Sequence, residues 1–366
     1  MATSPENGKS KKREANIELL RLLAMAMVVS LHYLSKGELL ADATKPMDAT
    51  GITSWLLESF SIAAVNTYVL ISGYFMVHSS FKPMRLVKLW LQVLFYTILT
   101  PVVLGLLGFV DLSQYSTYDF LRNLLPVNML QYWFISAYFL MVLVSPLLNA
   151  AVKNLPQKEL GLILLLLLGM ESLTKTVIPV RLELDNLGYD CFWFMVVYLI
   201  GAYIRLYGLP FIEKWKSGPL FGLYACTCLL LMGLYQVIHL IYLKNGSLEH
   251  MLGTTYGYNH LLVILAAVLL FATFRKMQLR EGVGNFIIKI SPYTLGVYLL
   301  HEQLSMRYLW PKWLFCEKVT GPGTLVLFWA IAIVVVMAAG LLVDALRALV
   351  FEKVEVLGKR LLKKDR

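Results

Sequence analysis

Charge is scarce in this sequence. Only 15% of its 366 residues are Asp, Glu, Lys or Arg, against 58% hydrophobic residues. That balance excludes an ordinary soluble domain, and it leaves no basic soluble face with base-stacking aromatics for a nucleic acid to bind. The breaks between apolar stretches are too short to hold a separate soluble catalytic domain, so any chemistry must sit in or against the apolar core. Cysteine is sparse too. Cys191, Cys226, Cys228 and Cys316 have no metal-ligand spacing, and Cys226 and Cys228 point to different faces of one apolar run, as inert thiols do. The six histidines form no HxxxH or HExxH pattern, so no catalytic metal is expected. No GxSxG elbow presents a serine nucleophile. No internal repeat relates residues 1–183 to 184–366, and there is no low-complexity linker.

What the sequence has is length without charge. Runs such as Thr324–Gly340 and Leu220–Leu243 are long enough to cross about 30 Å of hydrocarbon. Ten spans are expected, at 17–35, 52–77, 86–109, 130–151, 160–177, 190–207, 220–243, 258–274, 286–304 and 323–346. The expected fold is an all-α polytopic bundle of about ten transmembrane helices. The first span follows a polar, basic segment, 1–16, with no small-residue cleavage site behind it, and is expected to be retained. A second basic tail is expected at 347–366. With the N-terminus in the cytoplasm, 23 of the 33 Lys and Arg fall in inner segments and 9 in outer ones, Arg21 lying within span one. An even span count with both termini cytoplasmic satisfies the positive-inside rule. The net charge of +10 then faces anionic lipid headgroups.

Span one breaks the apolar pattern. In NIELLRLLAMAMVVSLHYLSKG (Asn16–Gly37) the ionisable residues Glu18, Arg21 and His32 interrupt it. Eleven residues at 100° each return to within about 20° of the start, so Arg21 and His32 share one helix face, roughly 16 Å apart along the axis. Glu18 stands at the i,i+3 spacing that pairs a carboxylate with a guanidinium. Two readings fit these residues. In one, Arg21 snorkels to the inner interface with Glu18, and His32 sits at headgroup level. In the other, ionisable groups on one face of a span line a functional path, since such groups are costly in lipid.

The opening span resembles that of the membrane acyltransferase-3 family, with Glu18-Leu-Leu-Arg21 and then ten residues between Arg21 and His32. Three later stretches share the resemblance. VNTYVLISGYFM carries Ser72, Gly73 and Tyr74 and leads into the basic FKPMRLVK. QYWFISAYFLMVLVSPLL (Gln131–Leu148) is similar to the family's Trp-bearing span. ISPYTLGVYLLHEQL (Ile290–Leu304) holds Tyr298-Leu-Leu-His301, similar to a late histidine span. The resemblance runs from about residue 14 to 350.

It implies transfer of an acyl group, usually acetyl, from cytoplasmic acyl-CoA to a hydroxyl of an extracytoplasmic polysaccharide or lipid-linked sugar. The short basic chain, with no soluble partner domain, is expected in a bacterial plasma membrane. His32 matches the family's histidine, as general base or as a transient acyl carrier. Arg21, oriented by Glu18, would hold the donor, and His301 would be a second site histidine or an acceptor contact. Lys82, Arg85 and Lys88 would meet the CoA phosphates, although the family tends to carry arginines there and ordinary positive-inside charge explains them as well. Ser72 and Tyr74 would donate to the thioester oxygen, or else simply pack. Trp133, Tyr132, Trp193 and Trp310 are candidates to stack on sugar, or members of an interfacial belt. The competing class is a transporter or flippase, which would also carry an intramembrane Arg/Glu/His set, but repeated halves usual for that class are missing.

Overall fold

A computed structural model describes residues 13–180 and 186–364. Lys9, Lys11, Lys12, Arg181 and Arg366 of the charge pattern lie outside the described residues. Among those described, the fold is all-α with no strand. Twelve helices make its frame: α1 (Ala15–Lys36), α2 (Ala49–Ser61), α3 (Ala64–Met76), α4 (Pro83–Leu106), α5 (Trp133–Asn154), α6 (Gln157–Leu168), α7 (Cys191–Tyr207), α8 (Ser217–Asn245), α9 (Leu261–Arg275), α10 (Glu281–Ile290), α11 (Thr294–His301) and α12 (Pro322–Lys364).

Each of the ten expected spans falls on helix. Among the described residues eight segments are long and apolar enough to cross a membrane, and α7 and α9 are shorter apolar helices. Three spans depart from uniform helix. Span two breaks into α2 and α3 at Ile62–Ala63. Span five passes through a π-helical turn, Gly169–Leu173. Span nine passes through a 3₁₀ turn, Ser291–Tyr293, where Pro292 removes a backbone donor and its ring crowds the preceding turn. Span ten does not stop near 346. Helix α12 runs on to Lys364, so the expected basic tail continues the same helix.

Local sequence sets the helix starts. Asp48 caps α2 by accepting from the Gly51 amide (2.7 Å), and Asp190 caps α7 through the Trp193 amide (2.8 Å). Pro83 opens α4, where its missing N–H costs nothing.

Helix α1 and the α2–α3 pair are the most buried spans, and α6 and α12 the least. Peripheral helices carry exposed apolar side chains such as Leu106, Leu147, Leu165 and Val334, the surface a bilayer would solvate. Helices packed in lipid gain little from apolar burial against each other and rely on close approach. Gly73 of α3 supplies it: a Cβ there would lie 2.1 Å from the Tyr198 carbonyl of α7. Gly201 of α7 does the same against the Leu70 carbonyl, at 2.4 Å. Buried polar groups pair across helices. Fully buried Asp344 of α12 accepts from Gln92 (2.9 Å) and Tyr96 (2.9 Å) of α4 and from its own helix's Arg347 (2.6 and 3.0 Å).

The connections sort onto two sides. Asn16 at the start of α1 donates to the Phe274 and Arg275 carbonyls at the end of α9, and Lys276 reaches the Ile212, Glu213 and Trp215 carbonyls. At the other end, Tyr33 donates to the Leu314 carbonyl and His239 meets the Lys45 carbonyl. Lys88 near the start of α4 approaches Glu355 on α12 (4.0 Å), so the described chain ends share one side. The alternation matches that expected from the Lys and Arg pattern.

Candidate active site

The central helices enclose a cavity of about 280 Å³. Helix α1 forms its floor with Glu18, Arg21, Met25, Val28 and His32, one stripe at spacings of three and four. Val65, Tyr68 and Ser72 of α3 repeat that spacing on a second wall. Trp133, Phe134, Ile135 and Tyr138 come from α5, and Ser291, Leu295 and Tyr298 from the broken span nine. Arg13 stands at the Arg21 end, and Leu89 of α4 and Tyr258 also line the cavity. The cavity therefore runs along α1 from a charged end to a histidine end. The shared face of Arg21 and His32, expected from their spacing, is this wall.

At the charged end Arg21 donates to Glu18 Oε1 at 2.7 Å, the i,i+3 pair expected. Glu18 is buried, and Arg13 approaches the same oxygen at 3.8 Å. Tyr68 anchors the turn by donating to the Arg21 carbonyl (2.6 Å), and the Arg21 guanidinium lies over the Phe75 ring. Its side chain keeps 30% of its surface exposed and lines the cavity, and only one of its five N–H donors is taken by Glu18.

At the other end, His32 Nδ1 and His301 Nε2 are 2.8 Å apart, across 269 residues of sequence. His301 Nδ1 is 2.6 Å from the Val297 carbonyl, which can only accept. Hydrogen-bond geometry thus assigns the tautomers. His301 carries its proton on Nδ1 and accepts at Nε2, so neutral His32 must donate from Nδ1. That leaves the His32 Nε2 lone pair free on a residue that lines the cavity. Behind the pair, Glu302 Oε2 lies 3.4 Å from His32 Nδ1, and its other oxygen is held by Arg307 at 2.8 Å. Trp310 packs edge-on against the His301 ring.

Of the residues singled out in the sequence, Glu18, Arg21, His32 and Ser72 line this cavity and His301 backs it. Ser72 is hydrogen bonded to the Tyr68 carbonyl and to Tyr138. Tyr74 lies elsewhere: its hydroxyl accepts from Arg205 (2.9 Å), whose guanidinium stacks on the Tyr74 ring. Lys82 and Arg85 line a second cavity, of about 340 Å³, with Ser79, Ser145 and Lys153. Its lining lies about one turn farther along α3 and α5 than that of the first, at Met76 after Ser72 and at Val142 after Tyr138. Lys88 is not in either lining. Trp133 faces the first cavity, whereas Trp193, Tyr132 and Trp310 are buried, the first two bonded to Asn66 Oδ1 and the Leu299 carbonyl. Burial removes those three rings as free stacking faces.

Sequence reading missed Glu302 and Arg307 as partners of His32, Lys153 as a third cation beside Lys82 and Arg85, and Ser291 and Tyr298 as cavity walls. The i,i+7 spacing of Ser291 and Tyr298 was the one available signal.

A model of an acyltransferase domain matches residues 14–344. The chain belongs to the acyltransferase-3 family. No curated protein and no solved structure matches it. Membership makes this multi-pass membrane protein an acyltransferase. Span one of the acyltransferase supplies residues at both ends of the cavity, Glu18 and Arg21 at one and His32 at the other.

Proposed function

We propose that this acyltransferase moves an acyl group, acetyl in the first instance, from cytoplasmic acyl-CoA to a hydroxyl of an extracytoplasmic polysaccharide or lipid-linked sugar. The membrane is the plasma membrane of a bacterium, with both chain ends cytoplasmic. The observation that carries the reading is the free Nε2 lone pair of His32 at one end of a cavity whose other end holds Arg21.

CoA enters from the Arg21 end. Its phosphates meet Lys82, Arg85 and Lys153 around the second cavity, with Lys88 at its approach. The pantetheine arm follows the groove between α3 and α5. Arg21, held by Glu18, binds oxygen atoms of the donor, a task suited to a planar cation that stays charged when partly buried. The acyl carbon then lies near His32. The acceptor hydroxyl gives its proton to His32 Nε2 as its oxygen attacks, and the resulting imidazolium is backed by His301 and faced by the Glu302 carboxylate. Proton transfer from His32 to the leaving thiolate restores the starting tautomer. Tyr74, paired with Arg205, acts in packing rather than on the donor.

Release of labelled acetate or acyl product from acetyl-CoA by the purified protein tests this. His32→Ala should abolish turnover and keep CoA binding, and Arg21→Ala should weaken binding. A folded wild type that neither binds nor turns over acetyl-, succinyl- or longer acyl-CoA would overturn the reading.

A further inference from the structure

Four tyrosines line the main cavity, and three have partners. Tyr68 donates to the Arg21 carbonyl, Tyr138 pairs with Ser72, and Tyr258 pairs with Tyr189. Tyr298 does not. Its hydroxyl is buried with no hydrogen-bond partner, on a residue 5% exposed whose ring centroid lies 6.2 Å from that of His32. One other cavity-lining group shares this state. Ser291, also 5% exposed, has an unpartnered buried hydroxyl. The two are seven residues apart, nearly two helical turns, on the same wall of the cavity. Leaving a buried hydroxyl unpaired is costly, and such groups are rare in native folds unless something else supplies the partner.

We propose that Tyr298 is a catalytic residue of the acyl transfer, donating its phenolic proton in a hydrogen bond to the thioester carbonyl oxygen, and that Ser291 binds an amide of the donor's pantetheine arm. This rests on the acyl-CoA reading above. The neighbouring geometry supports the assignment. His32 and Tyr298 flank the same end of the cavity, one offering a lone pair and the other an O–H. Phe134 packs edge-on against the Tyr298 ring, and Tyr132 lies against its other side, so the phenol is held in place by packing. Gly296, two residues before, sets the depth of the helix: a Cβ there would fall 2.2 Å from Asp344 and 2.5 Å from the Tyr96 hydroxyl. The seven-residue step from Ser291 to Tyr298, whose first turn is 3₁₀, spans about 11–12 Å, a reach that fits an extended amide-bearing arm between them.

The acceptor oxygen forms a bond to the acyl carbon while its proton passes to His32 Nε2. The carbonyl π pair moves onto oxygen, giving a tetrahedral oxyanion that accepts the Tyr298 hydrogen bond. The C–S bond then breaks, the C=O re-forms, and the thiolate takes the proton from His32 to leave as CoA–SH. Tyr298 keeps its proton throughout. Its hydrogen bond strengthens as charge gathers on oxygen, which is the condition for lowering the barrier rather than merely binding substrate.

The test compares wild type, Tyr298→Phe and Ser291→Ala as purified full-length protein. Three quantities are read: acetyl-CoA turnover with water or an added hydroxyl acceptor, the Kd of ethyl-CoA, a thioether with no carbonyl oxygen, and the melting temperature. Tyr298→Phe should lower kcat by about 100- to 1,000-fold, leave the ethyl-CoA Kd within twofold, and leave Tm unchanged or higher, since an unpaired hydroxyl has gone. Ser291→Ala should weaken ethyl-CoA binding several-fold with little change in kcat. Full turnover by Tyr298→Phe beside an active wild type overturns the role of Tyr298 alone. A lower Tm with lost ethyl-CoA binding in that variant makes Tyr298 a packing residue and overturns it too. A wild type with no turnover on any acyl-CoA overturns the acyl-CoA reading first, and this assignment with it. Should Tyr298→Phe not fold, 3-fluorotyrosine at 298 keeps ring and hydroxyl. As a stronger donor it should raise kcat, and an unchanged kcat contradicts the proposal.

Discussion

The sharpest consequence of the histidine pair concerns His301, which lies behind the cavity wall and touches no substrate in this account. Its Nε2 accepts from His32 Nδ1 at 2.8 Å, and its own Nδ1 donates to the Val297 carbonyl at 2.6 Å. Two things are lost in His301→Ala. The neutral His32 loses the acceptor that holds its proton on Nδ1, and the imidazolium formed during transfer loses a charge-assisted hydrogen bond. Such bonds contribute about 1.5–3 kcal/mol, against about 1 kcal/mol for a neutral pair. Removing the bond should therefore lower kcat/KM by roughly 10- to 150-fold, at about 1.4 kcal/mol per factor of ten. Glu302 limits the loss, because its Oε2 lies 3.4 Å from the same nitrogen. His301→Gln can present an amide oxygen near the position of Nε2 and should recover part of the activity. The assay is steady-state acetyl-CoA turnover beside the Kd for CoA, which should not move, since the donor's anchoring groups lie at the Arg21 end. A melting curve separates lost packing on Trp310 from lost proton control. Turnover by His301→Ala within threefold of wild type would refute the tautomer argument.

Other perturbations act on the scaffold. Asp344→Ala leaves Arg347 without its carboxylate and frees the Gln92 and Tyr96 donors, so it should cost about 3–5 kcal/mol, read as a fall in unfolding temperature or in urea midpoint. Gly73→Ala drives a methyl group into the Tyr198 carbonyl at 2.1 Å, which the two backbones cannot absorb, and should lower the yield of folded protein, whereas Gly222→Ala, with open space around it, should not. The Glu213 carboxyl, in the short turn before α8, is held below the usual carboxylate range by its hydrogen bond to Arg275 and by the Arg275 and Lys276 charges. Because the folded pKa is lowered, this contact is intact above the normal carboxylate range and is lost as pH falls through the lowered value. Amide exchange in 209–216 should rise at that acidic step, and Glu213→Gln should remove the step.

The spans were legible because charge is so costly in lipid that a twenty-residue apolar run without it marks a membrane helix. The shared face of Glu18, Arg21 and His32 was legible for a simpler reason: one helix fixes its own geometry. What joined span one to span nine was not. His32 and His301 are separated by 269 residues, and their contact depends on how α1 packs against α11, which no spacing rule encodes. No spacing ties Glu302 and Arg307 to span one; only the fold brings the Glu302 carboxylate, held by Arg307, to 3.4 Å from His32 Nδ1. Tyr74 illustrates the opposite case. It sits in a motif with Ser72 and Gly73, yet two positions along a helix turn the side chain by about 200°, so Ser72 faces the cavity and Tyr74 faces Arg205. The helix breaks at Ile62–Ala63 and Ser291–Tyr293 were also hidden, since apolar composition alone does not distinguish a continuous helix from a broken one. Pro292 was the visible hint at the second.

In the proposed function, one cavity along α1 takes an acyl-CoA with its reactive end at His32. A structure of the protein in a lipid nanodisc with ethyl-CoA bound tests it most directly. Density for the pantetheine arm is expected between Arg21 and His32, with the ethyl group close to His32 Nε2 and the phosphates beside Lys82, Arg85 and Lys153. Thioether density anywhere outside this cavity, with the wall around His32 empty, would contradict it.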